Sequence, residues 1–203
     1  MQMLEHEDVA ALPARERILE TAHRLFYREG IRATGVDAVI AAAGVTKVTF
    51  YRHFPSKGEL IDAVLTLRHG RWMAWFTSAL QRHARRLPLS RALAATLREW
   101  LSRLDFRGCA FINAAVEWGG SEPAVLRQAA THKQAMTDAI GAHLPDIPQR
   151  EALAQALALA VDGCIVQAQI HAGVPREIQA SLKALTLLAQ ALLPENASGA
   201  ADA

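Results

Sequence analysis

Two short candidate helices, each with an apolar stripe, are separated only by Gly44-Val45-Thr46, and this spacing restricts the fold more than any other feature of the chain. Val36, Val39, Ile40 and Ala43 make the first stripe. Val45, Phe50 and Phe54 are spaced to anchor the second. Upstream, Ile18, Leu19, Ala22, Leu25 and Phe26 recur on one helical face, which predicts a helix over 14–29 stopped by Gly30. Thr34 or Gly35 caps the next helix, and Thr46 caps a third, short one ending near His53, before Phe54-Pro55. Ser56 and Glu59 have the spacing of a capping box and open a fourth. Three short helices with a glycine at the second turn, where positive φ is commonly needed, have the layout of a helix-turn-helix.

Beyond Ser56 the helices lengthen. The predicted segments run to about Arg86, then over 89–104, 109–118, 122–143, 149–171 and 176–193, with Pro and Gly at the breaks. Alanine and leucine dominate and no strand-like alternation occurs, so the expected fold is all-α with about nine helices. The expected organisation is a flexible lead-in over 1–13, a helix-turn-helix domain over 14–60, a larger helical domain over 61–193 and a flexible tail over 194–203. The N-terminus MQMLEHEDVAALPARER lacks an apolar secretory core, and no uninterrupted apolar run reaches about 18 residues. A cytoplasmic protein with no membrane partner is expected.

The net charge of +2 says little, but its distribution says more. From Arg24 to Lys57 six Lys/Arg face two acids, Glu29 and Asp37, which is the footprint of an anionic partner. A helix that enters the major groove needs small or polar groups outside and apolar anchors beneath. On the third helix Lys47, Val48, Thr49, Arg52 and His53 are left outward. Lys47 and Arg52 can reach bases or phosphates, and Tyr51 and His53 phosphate oxygens. Thr34 and Lys57 stand at helix N-termini, where phosphate is favoured.

Residues 15–61 resemble the N-terminal domain of the TetR (tetracycline-repressor-like) family of bacterial regulators. The resemblance rests on Leu25-Phe26-x-x-x-Gly30, Thr34-x-Val36-x-x-Val39, Ala43-Gly44-Val45-Thr46 and Phe50-Tyr51-x-His53-Phe54-x-Ser56-Lys57. It places Thr46, Lys47, Thr49, Tyr51, His53 and Lys57 on positions that typically meet DNA in that family. Val48 stands where the family often has Gly or another small residue, and Gly35 where Ser or Thr is common. The resemblance implies a homodimeric repressor on a palindromic operator, released by a small molecule that changes the separation of the two reading helices.

The larger half supplies candidates for dimerisation and ligand binding. Ala156, Ala160 and Gly163 with Leu157, and Leu182 and Leu185 in the last helix, suit close helix packing, and the resemblance implies a dimer through these two helices. A largely apolar inducer is expected among the aromatics between 72 and 118, with Trp72, Phe76 and Trp100 as candidates. Cys109, Asn113 and Glu117 lie four apart on one face of a mostly apolar helix, and some TetR-like proteins have a similar stretch. His132 is expected to point inward as a further candidate. An alternative reading makes Cys109, at a helix N-terminus, a thiol sensor of electrophiles or oxidants. A second alternative is a helical scaffold or small-molecule binding protein without a DNA role. No metal spacing, nucleophile motif or phosphate loop is present, so no cofactor, metal or enzymatic activity is expected.

Overall fold

The computed structural model describes residues 9–171 and 173–193. Among them the chain is helical throughout: α1 (Ala14–Glu29), α2 (Val36–Ala43), α3 (Lys47–His53), α4 (Lys57–Ala84), α5 (Leu89–Leu101), α6 (Ala110–Trp118), α7 (Pro123–Gly141), α8 (Arg150–Ile170) and α9 (Pro175–Leu192). The lead-in differs from expectation, because Val9–Ala11 forms a turn of 3-10 helix. Arg17 explains it: its Nη1 donates to Leu12 O at 3.0 Å and Ala10 O at 3.4 Å. Its Nε donates to Ala43 O at 2.8 Å, so one side chain binds the lead-in and the end of α2 to α1. Residues 1–8 of the lead-in and the expected tail lie outside the described residues.

The described residues form two compact units. The first runs to Trp72 and adds Ala110–His132; the second is Met73–Cys109 with the residues from Lys133 onward. These units do not follow the sequence boundary at residue 60, because α6 and the start of α7 fold with the N-terminal helices. In the first unit Ile18, Ala22, Val39, Phe50, Leu60 and Ile61 are fully buried and form a core under the three short helices. In the second unit α9 packs on both α8 and α5. Trp100 lies edge-on to Trp75 and Phe106, with centroids 6.1 and 5.2 Å away. By length and composition α8 is apolar enough to cross a membrane. Its Ala154, Leu157, Val161 and Ile165 are buried in the unit's own core, and Asp162 at its middle accepts from Lys133 Nζ at 2.5 Å.

Candidate nucleic-acid interface

The short α3 is fixed at both ends and from beneath. At Gly44 the backbone turns left-handed (φ 61°, ψ 41°), and its N–H closes on the carbonyls of Ile40 and Ala41. Thr46 then caps α3: its hydroxyl accepts the Thr49 N–H at 3.1 Å and bonds the Thr49 hydroxyl at 2.9 Å. Phe50 and Phe54 are buried beneath, their rings 6.2 Å apart, and the Arg15 guanidinium covers Phe54 at 5.2 Å. A seven-residue helix anchored this way presents its other side to solvent. Val48 is 78% exposed and Tyr51 43% exposed, Thr46, Lys47 and Arg52 are exposed, and Thr49 and His53 are half-buried. The edge of Phe50 against the Tyr51 ring, 5.2 Å between centroids, orients the phenol. Lys47 Nζ stands 3.5 Å from Asp37, but both side chains are mostly in water, so this pair is weak.

Two expected phosphate contacts are deployed differently. Thr34 is buried, and its hydroxyl donates to Gly30 O at 2.7 Å. It tightens the α1–α2 turn; the N-cap of α2 is Gly35, with no side-chain cap. Lys57 Nζ turns inward, donating to Ile31 O at 2.6 Å and lying 4.7 Å over the Trp118 ring. Burial lowers its pKa, while Glu117 pulls the other way.

Glu117 belongs to the same arrangement. Its carboxylate accepts the Arg32 N–H at 2.9 Å, and its backbone carbonyl accepts from Arg32 Nη2 at 2.9 Å. The last turn of α6 therefore holds the turn that leads into α2. Gly30 is favoured here by its φ of 91°, and a Cβ would come 2.9 Å from Glu117 Oε2, so that carboxylate would have to shift. Sequence reasoning missed Arg17, Arg32 and Trp118, because their partners come from remote segments. Replacing Glu117 with alanine is expected to cost about 1.5–3 kcal/mol, the net worth of a hydrogen bond to a charged group. Urea unfolding would measure it, and an unchanged midpoint would show that the contact carries no stability.

A helix-turn-helix of this geometry can be compared with known proteins. The profile described as "Bacterial regulatory proteins, tetR family" matches residues 18–64. The regulator TtgR of Pseudomonas putida is 39% identical over 59 residues, which is 29% of this chain and 28% of that protein. The curated relatives of this kind are matched over less than half of their own length. The crystal structure of SCO4454, a TetR-family transcriptional regulator from Streptomyces coelicolor, is 30% identical and covers 96% of this chain and 97% of its own, with a TM-score of 0.77. The chain belongs to the TetR family. It is a DNA-binding transcriptional regulator of helix-turn-helix type. The fold is shared at 22% identity and TM-score 0.67 by a CifR cysteine mutant solved with 26bp double-strand operator DNA, over 86% of this chain and 96% of that one.

In this TetR-family regulator the expected ligand residues are divided between the two units. Phe76, Trp100 and Cys109 belong to the second unit, and Trp72, Asn113, Glu117 and His132 to the first. His132 is buried as expected, stacked on Phe111 at 3.8 Å with the Trp72 ring edge-on at 4.9 Å. Its Nδ1 bonds the Nδ1 of His69 at 3.2 Å, a partner the sequence did not indicate. A cavity of about 20 Å³ in the first unit is lined by Asn113 and Glu117, and otherwise by residues of α1, the turn after it, α4 and α6 not foreseen for a ligand. Cys109 is only 4% exposed, and Cys164 is buried too, its thiol pushed up to about 11 by burial. A sensing thiol must be reachable, so these positions do not favour that alternative.

The expected dimer residues differ in their burial within the single chain. Leu157, Leu182 and Leu185 are fully buried within the single chain, where α8 meets α9. Ala156 and Ala160 are half-buried and Gly163 is exposed. With them on the outer side of α8 stand Leu159 (63% exposed) and Ile170 (67%), and on α9 Leu187 (57%) and Leu188 (54%).

Proposed function

We propose that this protein is a cytoplasmic repressor that binds a palindromic operator as a homodimer and is released by a small molecule. The observation that carries the DNA reading is the outer side of α3. Lys47, Val48, Tyr51 and Arg52 project from a helix whose cap and buried phenylalanines fix its orientation. Thr46, Thr49 and His53 border that surface. Such a helix fits a major groove, with its cations toward phosphate and Val48 toward a thymine methyl. Thr34 and Lys57 are not part of this surface in our reading. The first unit acts as the reading head, and the second supplies dimerisation. The protein acts by binding and not by catalysis.

The dimer reading rests on the exposed seam of the last two helices. On α8, Ala152, Ala156, Leu159, Gly163, Val166 and Ile170 alternate four and three apart, the spacing of a helix pair with close approach. Two copies would join these seams into a four-helix bundle. One helix-turn-helix makes few base contacts, so pairing provides the affinity of two half-sites about 34–36 Å apart.

Selection of genomic fragments by the purified protein, followed by footprinting, tests this function. A short protected palindrome is expected, and no sequence preference at low salt would refute it. Arg52→Ala is expected to weaken operator binding and to reduce the slope of log K against log salt by about 1, as loss of one phosphate contact does. An unchanged slope would assign Arg52 to no phosphate.

A further inference from the structure

The cavity in the first unit has a polar wall that the fold itself leaves unsatisfied. It is enclosed by α1 (His23, Phe26, Tyr27), Ile31, α4 (Val64, Leu65, Arg68) and α6 (Ala110, Asn113, Ala114, Glu117). Arg68 is 3% exposed, and its guanidinium lies 4.1 Å over the Tyr27 ring. Its Nη1 faces His23 Nε2 at 3.4 Å, while its Nη2 has no hydrogen-bond partner. The nearby acids are engaged: Glu20 is bidentate to Arg71, and Glu117 accepts the Arg32 amide. Among the described residues no carboxylate pairs with Arg68. A guanidinium stays charged at any working pH, so a buried positive charge is left without a counter-ion.

His23 adds a second donor. It is also 3% exposed, and burial followed by the charges of Arg68, Arg71 and Arg24 lowers its pKa to about 3, so the ring is neutral. Arg68 can only donate, so Nε2 accepts and Nδ1 carries the proton. That Nδ1 is buried and has no partner. Two unpaired donors, one charged, thus belong to side chains lining one small cavity, and α6 begins beside it at Ala110 with the positive end of its dipole. The volume holds about one or two water-sized groups, the size of a carboxylate head. Apart from Tyr27, Asn113 and Glu117, whose carboxylate accepts the Arg32 amide, the remaining lining is apolar.

We propose that this cavity is an anion site that takes the carboxylate head of a small organic acid between Arg68 and His23. The inference names the chemistry of a ligand for the regulator. Binding is measured without DNA, so a failed operator experiment leaves it intact.

The test is thermal unfolding of the full chain at fixed ionic strength in sodium acetate or propionate, against sodium chloride and neutral acetamide. Acetate and propionate are expected to raise the midpoint saturably, by about 3–6 °C at ten times the half-saturating concentration. Acetamide should have no effect. Arg68→Met, which replaces the charge with an apolar chain of similar length, is expected to abolish the carboxylate effect while leaving the ligand-free midpoint unchanged or higher. In the unmodified protein, the imidazole nitrogen resonances of His23 should shift saturably with acetate, which gives a readout that does not depend on a variant folding. The absence of a saturable shift, or a shift that persists in Arg68→Met, would overturn the proposal. An equal effect of chloride would reassign the site to a halide and overturn the carboxylate.

Discussion

Replacing Leu159 and Leu187 with aspartate is expected to convert the proposed dimer to a monomer and to lower operator affinity by roughly 10²–10⁴-fold, the advantage of joining two binding modules. Both side chains are more than half exposed in the single chain, so the change should cost the folded protomer little, within about 0.5 kcal/mol each. In an assembled four-helix bundle the same carboxylates would be buried without partners, at several kcal/mol each. Sedimentation velocity and anisotropy on a labelled operator would measure the two effects together. Leu157→Asp is the contrasting variant. Leu157 is fully buried within one chain, so that protein should fail to fold rather than dissociate. A Leu159/Leu187 variant that remains dimeric would exclude this seam as the interface.

Acid should unfold the first unit through His23. In the unfolded chain this imidazole takes up a proton near pH 6.5, whereas in the fold burial and three arginines keep it neutral down to about 3. Between those values the unfolded state binds more protons, so stability is complete above pH 6.5 and falls as pH falls. The expected loss is about 2 kcal/mol at pH 5, rising to about 4 kcal/mol near pH 3. Denaturant titrations at a series of pH values would reveal it. His23→Gln, which keeps a polar group without a titration near pH 6, should flatten that part of the curve. The same slope in both proteins would assign the acid sensitivity to other groups.

The sequence revealed features whose causes are local. Gly30 and Gly44 ended α1 and α2 where expected, because each adopts a positive φ. Thr46 was identified as the cap of α3 because its hydroxyl needs only an amide three residues on. The inward side of α3 was legible for the same reason: Phe50 and Phe54 lie one helical turn apart. Long-range contacts decided what was missed. Lys57 has the appearance of a phosphate ligand until Ile31 and Trp118 are beside it. Arg68 and His23 are 45 positions apart in the chain, and neither belongs to a motif. The last two helices failed for another reason. Both have apolar residues on two sides, and periodicity cannot tell the side that meets the chain's own core from the side that meets a second copy. Leu157, Leu182 and Leu185 stand on the side that meets the chain's own core.

The mixed order of the two units has a consequence for synthesis on the ribosome. The first unit contains α1–α3 and the start of α4, yet the carboxylate that holds the Arg32 amide and the ring beneath Lys57 come from α6. The intervening Met73–Cys109 belongs to the other unit. A nascent chain that has released only its first seventy or so residues has its reading helices but not the groups that fix the turn between α1 and α2. The regulator should therefore gain its final DNA-facing geometry late in translation, after α6 has emerged.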